Sequence, residues 1–230
     1  LSGVQTGFSR LDAITGGWQK SDLIIVAARP GMGKTGFVIS IARNAAVDFK
    51  RPVAIFSLEM GSTQLVTRLI ASEAEIPSDK LRKGDLKEHE FQQINTKIGN
   101  LSTAPFFIDD TPALSIFEFR AKARRLVAQH NVSLIIVDYL QLMNSGMEGR
   151  AFSREQEVSR ISSALKTTAK ELNIPIIACS QLSRAAETRG DRRKPMLSDL
   201  RESGAIEQDA DIVIFLYRPE YYQITEDENG

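Results

Sequence analysis

Short apolar runs rich in β-branched residues alternate along this chain with longer amphipathic stretches. The short runs predict six strands: Leu23–Ala28, Val53–Ser57, Phe106–Asp109, Leu134–Asp138, Pro175–Ser180 and Ile212–Leu216. Helical spacing of apolar residues predicts five helices between them: Lys34–Phe49, Thr63–Ala74, His89–Asn100, Ser115–His130 and Arg154–Leu172. Nearly continuous apolar strands are typical of a sheet covered on both faces. Because parallel strands require long crossover connections, the alternation predicts an α/β fold, with a mostly parallel central sheet flanked by helices.

Composition and charge limit the classes of partner. The 230 residues are 42% hydrophobic, which is enough for one substantial core. The 29 basic and 29 acidic side chains cancel, so any nucleic acid must be met by a local basic patch. No apolar run approaches the roughly 18 to 20 residues that span a bilayer. We therefore expect a cytoplasmic protein with no membrane partner.

Cysteine and histidine are too scarce for a metal site of their own. Cys179 is the only cysteine, so no disulfide forms within the chain, and its place in "IPIIACS" indicates a small core residue. His89 and His130, the only histidines, belong to separate helical stretches. A metal site built from His and Cys is therefore excluded, and any divalent metal must arrive with a substrate.

The stretch "AARPGMGKTGF" predicts a phosphate-binding loop between a strand and a helix, although the pattern asks for glycine where Ala28 stands. Gly31 and Gly33 let backbone N–H groups face inward, and the following helix directs its positive end to the same point. Lys34 is predicted to reach the β- and γ-phosphates, and the Thr35 hydroxyl to hold Mg²⁺. The predicted nucleotide-binding residues are Ala28, Arg29, Pro30, Gly31, Met32, Gly33, Lys34 and Thr35.

Three polar residues follow or end other predicted strands, at the edge where such folds bind ligands. Asp138 ends "LIIVD" and is a candidate to hold Mg²⁺ beside Thr35. Glu59, in "SLEM", is a candidate to orient the water that attacks the γ-phosphate. Gln181, in "SQLSR", is a candidate to bond a γ-phosphate oxygen. Each residue taken alone also fits an ordinary surface position.

Two basic regions are candidates for nucleic acid contact. The segment from Arg184 to Lys194 has five basic and two acidic residues and precedes "LRESG", in which Arg201 and the amides around Gly204 could hold a phosphate. A solvated run of charges is the alternative. The outward residues of the fourth helix, Arg120, Lys122, Arg124 and Arg125, indicate a solvated face. Trp18 follows a Gly-Gly turn and is expected to pack a hairpin.

Five motifs in order, "ARPGMGKT", "SLEM", "IIVDYLQLM", "SQLSR" and "LRESGAIEQDADIVIFLYR", resemble the signatures of replicative DNA helicases of the DnaB family. The resemblance covers nearly the whole chain, and the family commonly has a small residue at the position of Ala28. It implies a RecA-like P-loop NTPase that uses ATP and Mg²⁺ in a hexameric ring and travels along single-stranded DNA. It also implies Glu59 as the water-activating acid, Gln181 as the phosphate sensor, and Arg201, Glu202 and Gly204 in a loop that holds the DNA backbone.

The resemblance further implies how this chain relates to a whole helicase. We expect residues 1–230 to be one RecA-like motor domain, truncated at both ends. A helical N-terminal domain and a linker helix would precede Leu1, and a basic finger for the neighbouring subunit's ATP would follow Gly230. A primase and a helicase loader are the implied protein partners.

Two other classes of function share parts of this pattern. A RecA-like ATPase of another kind, such as a recombinase or a regulatory ring ATPase, has the same loop and strand acid, but "SLEM" together with "DYLQLM" argues against it. A nucleotide-dependent binding module would retain ATP affinity without turnover. Lys34, Thr35, Glu59 and Asp138 together argue against that class, because a pure binder does not need a water-activating acid.

Overall fold

A six-stranded parallel sheet organises the structure, a computed structural model that describes residues 1–146, 152–183 and 194–222, with only the backbone of 201–203. The strands are β1 (Leu23–Ala28), β2 (Val53–Ser57), β3 (Phe106–Asp109), β4 (Leu134–Asp138), β5 (Ile176–Gln181) and β6 (Ile212–Phe215). Their order across the sheet is β3-β2-β4-β5-β1-β6, and every pair is parallel. The predicted α/β fold and parallel sheet are confirmed, and four of the six strands have the predicted bounds.

The strand order determines which strand ends are neighbours. β4 lies between β2 and β5, and β5 lies between β4 and β1. In register, Ser57 is opposite Asp138, and Ala28 is opposite Gln181. Because carboxyl ends of parallel strands share one edge, the segments after β1, β2, β4 and β5 meet there.

Helices cover both faces of the sheet. Those described are α1 (Ser9–Thr15), α2 (Lys34–Arg43), α3 (Ser62–Ala74), α4 (Ser78–Lys83), α5 (Glu88–Ser102), α6 (Ile116–His130), α7 (Arg154–Leu172) and α8 (Gly204–Asp209). A π-helix, Asn44–Asp48, continues α2, and 3-10 helices cover Leu140–Leu142, Leu197–Ser203 and Pro219–Tyr222. Across the ranges that the structure describes, no helix has both the length and the apolar content to cross a membrane.

The predicted helices are all present, with small differences at their ends. The predicted helix Lys34–Phe49 is divided, because its last turn is the π-helix. Ser115, predicted as the first residue of a helix, instead caps α6 by accepting a hydrogen bond from the Glu118 amide. The prediction missed α1, α4 and α8, which have six or seven residues each and too few buried positions to show a helical period.

Side chains of the strands alternate between two hydrophobic layers. Leu23, Ile25 and Ala27 of β1 belong to the layer that packs against α6 and α7, where the rings of Phe56 and Phe119 meet edge to face at 4.9 Å. The alternate residues Ile24 and Val26 belong to the layer under α2 and α3. Burial on both faces explains the nearly continuous apolar strands of the sequence.

Trp18 packs a hairpin-like pairing near the start of the chain, as predicted. Its backbone forms two hydrogen bonds with Val4, of 2.7 and 2.8 Å, and its side chain is fully buried in the layer under α2. The carboxylate of Asp12 in α1 accepts hydrogen bonds from the backbone amides of Thr6 and Gly7, at 2.8 and 3.2 Å. These bonds fix the chain just before α1.

Most of the basic face of α6 is paired within the domain. Arg120 and Arg124 form salt bridges with Glu171 of α7, at 3.0 and 2.5 Å, and Lys122 forms one with Asp109 at the end of β3, at 2.6 Å. These pairs join α6 to both of its neighbours. The face is therefore partly tied into the packing of α6, while Arg124 and Arg125 are exposed, as predicted for a solvated face.

Replacing Glu171 should make this pairing visible in the pH dependence of stability. Hydrogen bonds from Arg124 and Arg120 lower the pKa of Glu171 to about 2, from an ordinary value of 4.5. A lowered pKa in the folded state means that the pairing stabilises the fold above about pH 4.5 and is lost as the pH falls toward about 2. Glu171→Gln should thus unfold more easily in urea at pH 7, with a difference that shrinks below about pH 4.5.

Glu155→Gln is the matched control, because Glu155 lies on the same helix and forms no salt bridge in the described part of the chain. It should change stability much less than Glu171→Gln does. The same urea midpoint difference for Glu171→Gln at pH 7 and pH 3 would contradict the pairing.

Candidate nucleotide site

The loop between β1 and α2 has the backbone conformation of a phosphate cradle. Gly31 and Gly33 adopt φ values of +81° and +91°, in the left-handed region that favours glycine. A Cβ built on Gly33 would meet no atom of the described residues within 4 Å, so the space beside this glycine is open. Ala28 is the last residue of β1, fully buried and paired with β5. Its extended conformation explains why this position does not require glycine.

The start of α2 presents unpaired backbone amides toward the same space. The helix begins at Lys34, and no side chain in the described ranges caps its start. The first amide groups of a helix have no partner within it, and the helix dipole makes that end positive. Loop and helix start together form a site for an anion such as a phosphate group.

Thr35 and Asp138 meet across the loop although they are far apart in the sequence. The Thr35 hydroxyl donates a 2.7 Å hydrogen bond to Oδ2 of Asp138, which lies at the carboxyl end of β4 and is 2% exposed. The other oxygen of Asp138, Oδ1, is buried and accepts no hydrogen bond from the residues described. Buried oxygens of this kind usually have a partner, and hydroxyl and carboxylate oxygens suit Mg²⁺. The pair fits the predicted metal site.

Lys34 rests on an aromatic ring to which the sequence analysis assigned no role. Its Nζ lies 4.6 Å from the centroid of the Tyr139 ring, within the range of a cation–π contact. Burial raises the pKa of Tyr139, and the negative charges of Glu59 and Asp138 add to this effect. The phenol therefore stays neutral. The sequence signal was the position of Tyr139 directly after Asp138 in "DYLQLM".

Glu59 lies two residues beyond β2, at the same edge of the sheet. Leu58 donates a 2.8 Å hydrogen bond to the Asp138 carbonyl, which ties the "SLEM" turn to β4. The Ser57 hydroxyl donates to the Met60 carbonyl at 2.7 Å and closes the turn. The Glu59 side chain is exposed, and it forms no hydrogen bond or ion pair with the residues the structure describes. Its carboxylate is thus free to bind water near Thr35 and Asp138.

Gln181 is the last residue of β5, in register with Ala28 at the end of β1. Its side chain is exposed, while Leu182 donates to the Ala28 carbonyl at 3.0 Å. Because alternate residues of a strand share a face, Gln181 projects to the same side as Cys179, the side of α2. Cys179 itself is fully buried, as predicted, and burial raises the pKa of its thiol well above the ordinary value.

Tyr221 limits the open side of the loop and was also missed from the sequence. A Cβ built on Gly31 would lie 3.5 Å from the Tyr221 ring, which meets Tyr222 edge to face. Tyr222 in turn stacks on Tyr217, with centroids 5.9 Å apart. The signal was the cluster of tyrosines in "LYRPEYY" after the last strand.

The predicted DNA-binding residues are placed only in part. Arg201 and Glu202 belong to the 3-10 helix Leu197–Ser203, and their side chains lie outside what the structure describes. Gly204 begins α8 and is exposed. Of the basic segment from Arg184 to Lys194, residues 184–193 lie outside the described residues. The structure brings Lys34, Thr35, Asp138, Glu59 and Gln181 to one edge of the sheet, and the assignment to DNA of the other three stays a prediction.

Comparisons of this chain with a family model and with curated proteins agree on one family. Residues 3–230 match the family described as DnaB-like helicase C terminal domain. Replicative DNA helicase DnaC of Bacillus subtilis is 50% identical over 230 residues, which cover 100% of this chain and 50% of that protein. Replicative DNA helicase DnaB of Geobacillus stearothermophilus is 50% identical over 222 residues, which cover 96% and 48%. The chain spans about half the length of the curated relatives it matches.

Solved structures agree in fold. One, described as an ATPase domain, superimposes with a TM-score of 0.91 at 38% identity, over 98% of this chain and 79% of that one. A DnaB-like replicative helicase, described with its interactions with primase, gives 0.91 at 39% identity, over 98% and 54%. The resemblance inferred from the five motifs is thus confirmed: the chain has a RecA-like fold and belongs to the DnaB-like helicase C-terminal domain family.

Proposed function

We propose that this chain is the motor domain of a replicative DNA helicase, which hydrolyses ATP to move along single-stranded DNA and unwind the duplex at the fork. The observation that carries the proposal is the 2.7 Å bond between Thr35 and Asp138 beside an open glycine loop. It joins a hydroxyl and a buried carboxylate as a nucleotide-bound Mg²⁺ requires. Membership of the DnaB-like family supports the choice of helicase over recombinase or regulatory ring ATPase.

The loop residues from Ala28 to Thr35 are proposed to hold the triphosphate. Backbone N–H groups around Gly31 and Gly33 and the start of α2 bind phosphate oxygens, and the Lys34 ammonium contacts the β- and γ-phosphates. Thr35 and Asp138 hold Mg²⁺, which neutralises charge on the phosphates when bound. The Tyr139 ring keeps Lys34 at the site, because the cation–π contact restricts an otherwise flexible side chain.

Glu59 is proposed to act on the attacking water. Its free carboxylate accepts a hydrogen bond from that water, orients its oxygen toward the γ-phosphorus and takes a proton as the bond to the β-phosphate breaks. Gln181 contributes an amide that bonds a γ-phosphate oxygen and registers its departure. The side chains of Glu59 and Gln181 are exposed at the carboxyl edge of the sheet, as these roles require.

The DNA and protein partners complete the proposal. Arg201, Glu202 and Gly204 hold the DNA backbone, and six copies form a ring in the cytoplasm, as the family resemblance implies. The primase named with one solved relative supports a primase as partner, and a helicase loader is the second. Residues 1–230 are proposed to form one motor domain of the full-length protein.

The decisive experiment measures ATP turnover by the full-length protein with and without single-stranded DNA, together with strand displacement on a forked duplex. A helicase should hydrolyse ATP faster with DNA and separate the strands. ATP binding without turnover would instead indicate a nucleotide-dependent binding module. Turnover stimulated by DNA but without strand separation would favour a recombinase-like ATPase.

Glu59→Gln should lower ATP turnover by at least about a hundredfold, the usual scale for a positioned general base, and leave ATP affinity nearly unchanged. The amide keeps the size of the side chain but accepts no proton. Steady-state hydrolysis and nucleotide titration of the full-length protein measure the two effects. Glu88→Gln, an exposed acid on α5, is the control and should hydrolyse ATP at the parent rate. Parent-rate hydrolysis by Glu59→Gln would make Glu59 a surface acid.

Arg201→Ala should weaken binding of single-stranded DNA equally for all base sequences. A phosphate contact releases a counterion but reads no base, so the logarithmic salt dependence should become shallower by about one unit. Fluorescence anisotropy over a salt series, with oligonucleotides of two compositions, measures both effects. Arg82→Ala, an exposed arginine of α4, is the control. An unchanged affinity and salt slope for Arg201→Ala would place the DNA contact elsewhere.

A further inference from the structure

The pairing of β4 with β5 ends before β5 does. The last registered pair is Val137 with Ala178, whereas β5 continues for three more residues to Gln181. On its other side, β5 stays paired with β1 up to Gln181 and Ala28. After Asp138 the chain leaves the sheet and forms the 3-10 helix Leu140–Leu142. The β4 side of Gln181 therefore lacks a neighbouring strand.

The side chain of Gln141 takes the place of that strand. Its Nε2 donates to the Gln181 carbonyl at 3.3 Å, and its Oε1 accepts from the Gln181 amide at 3.2 Å. Nε2 also donates to the hydroxyl of Ser180 at 2.9 Å, and Ser180 is 1% exposed. A side-chain amide has the same donor and acceptor as a backbone peptide, so these two bonds pair the backbone of Gln181 as a neighbouring strand would.

Gln141 is itself held from β4 and α7. It comes three residues after Asp138, and Leu140 beside it is fully buried. The backbone carbonyl of Gln141 accepts a hydrogen bond from Nη2 of Arg154, the first residue of α7. Nη1 of Arg154 in turn pairs with Glu157 at 2.6 Å. These contacts fix the backbone of Gln141, and therefore the point from which its side chain reaches Gln181.

We propose that Gln141 is a positioning residue for ATP hydrolysis: its amide fixes the backbone of Gln181 relative to the Asp138 end of β4. The inference rests on the proposed role of Gln181 at the γ-phosphate. Because the side chain of Gln181 is exposed, the position of its side-chain amide depends on the position of its backbone. The amide of Gln141 is engaged with Ser180 and Gln181, so its loss affects the reacting geometry rather than the binding of ATP.

Gln141→Met keeps the length of the side chain and removes all three hydrogen bonds. In the full-length protein it should lower kcat for ATP about tenfold to a hundredfold with KM nearly unchanged, because an error of about 1 Å in a catalytic group costs on that order. Ser180→Ala removes one of the three bonds and should lower kcat less than about threefold. A rise in KM at constant kcat for Gln141→Met would overturn the inference.

A double-mutant cycle with Gln181→Ala separates positioning from a general loss of structure. If Gln141 acts through Gln181, adding Gln141→Met to Gln181→Ala should not lower kcat further. Losses that multiply would overturn the inference. Parent-rate turnover by Gln181→Ala would overturn both this inference and the proposed role of Gln181. A slow Gln181→Ala with a parent-rate Gln141→Met would overturn the inference alone.

A thermal melt of each variant checks folding at the assay temperature. Should Gln141→Met unfold below it, Gln141→Glu takes its place in the cycle. The glutamate still accepts hydrogen bonds from the Gln181 amide and the Ser180 hydroxyl, but it places a negative charge against the Gln181 carbonyl. It should therefore lower kcat in the parent and leave kcat unchanged in the Gln181→Ala background, and an equal loss in both would overturn the inference.

Discussion

All six described strands of this domain run parallel, and the rest of the structure follows from that constraint. Parallel neighbours cannot be joined by a tight turn, so each connection crosses a face of the sheet, usually through a helix. The helices bury both faces and account for the two hydrophobic layers on either side of β1. The same constraint places every carboxyl end at one edge. Asp138 and Thr35, which are 103 positions apart, are bonded there for this reason.

The strand order then decides which of those ends form the site. β4 and β5 lie between β2 and β1, so Glu59, Asp138, Gln181 and the glycine loop lie at the carboxyl ends of four strands that are neighbours in the sheet. At Gln181 no strand pairs on the β4 side, and the side-chain amide of Gln141 forms the backbone hydrogen bonds there instead. Backbone pairing thus sets the positions of the strand ends, and in our proposal the amide of Gln141 sets the position of Gln181 within the candidate site.

Much of this was predictable from the sequence, because buried parallel strands and a glycine loop before a helix leave strong local patterns. Four strands and α7 have the predicted bounds. Tyr139, Gln141 and Tyr221 were missed because their contacts depend on the distance between elements, which no spacing in one chain reveals. The π-helix after α2 was missed because its residues continue the helical period. The ion pairs of the basic face of α6 were missed because their partners, Glu171 and Asp109, come from other elements.

The burial of Cys179 has a practical consequence for studying motion in this domain. Thiol reagents attack the thiolate, and a fully buried thiol with a strongly raised pKa offers neither access nor charge. The only cysteine of residues 1–230 is therefore unreactive toward maleimide dyes while the fold is intact. A second cysteine, introduced on an exposed helix such as α4, would take up a fluorophore or spin label alone. The mobility and environment of that site in this domain could then be followed without first removing Cys179 from the core.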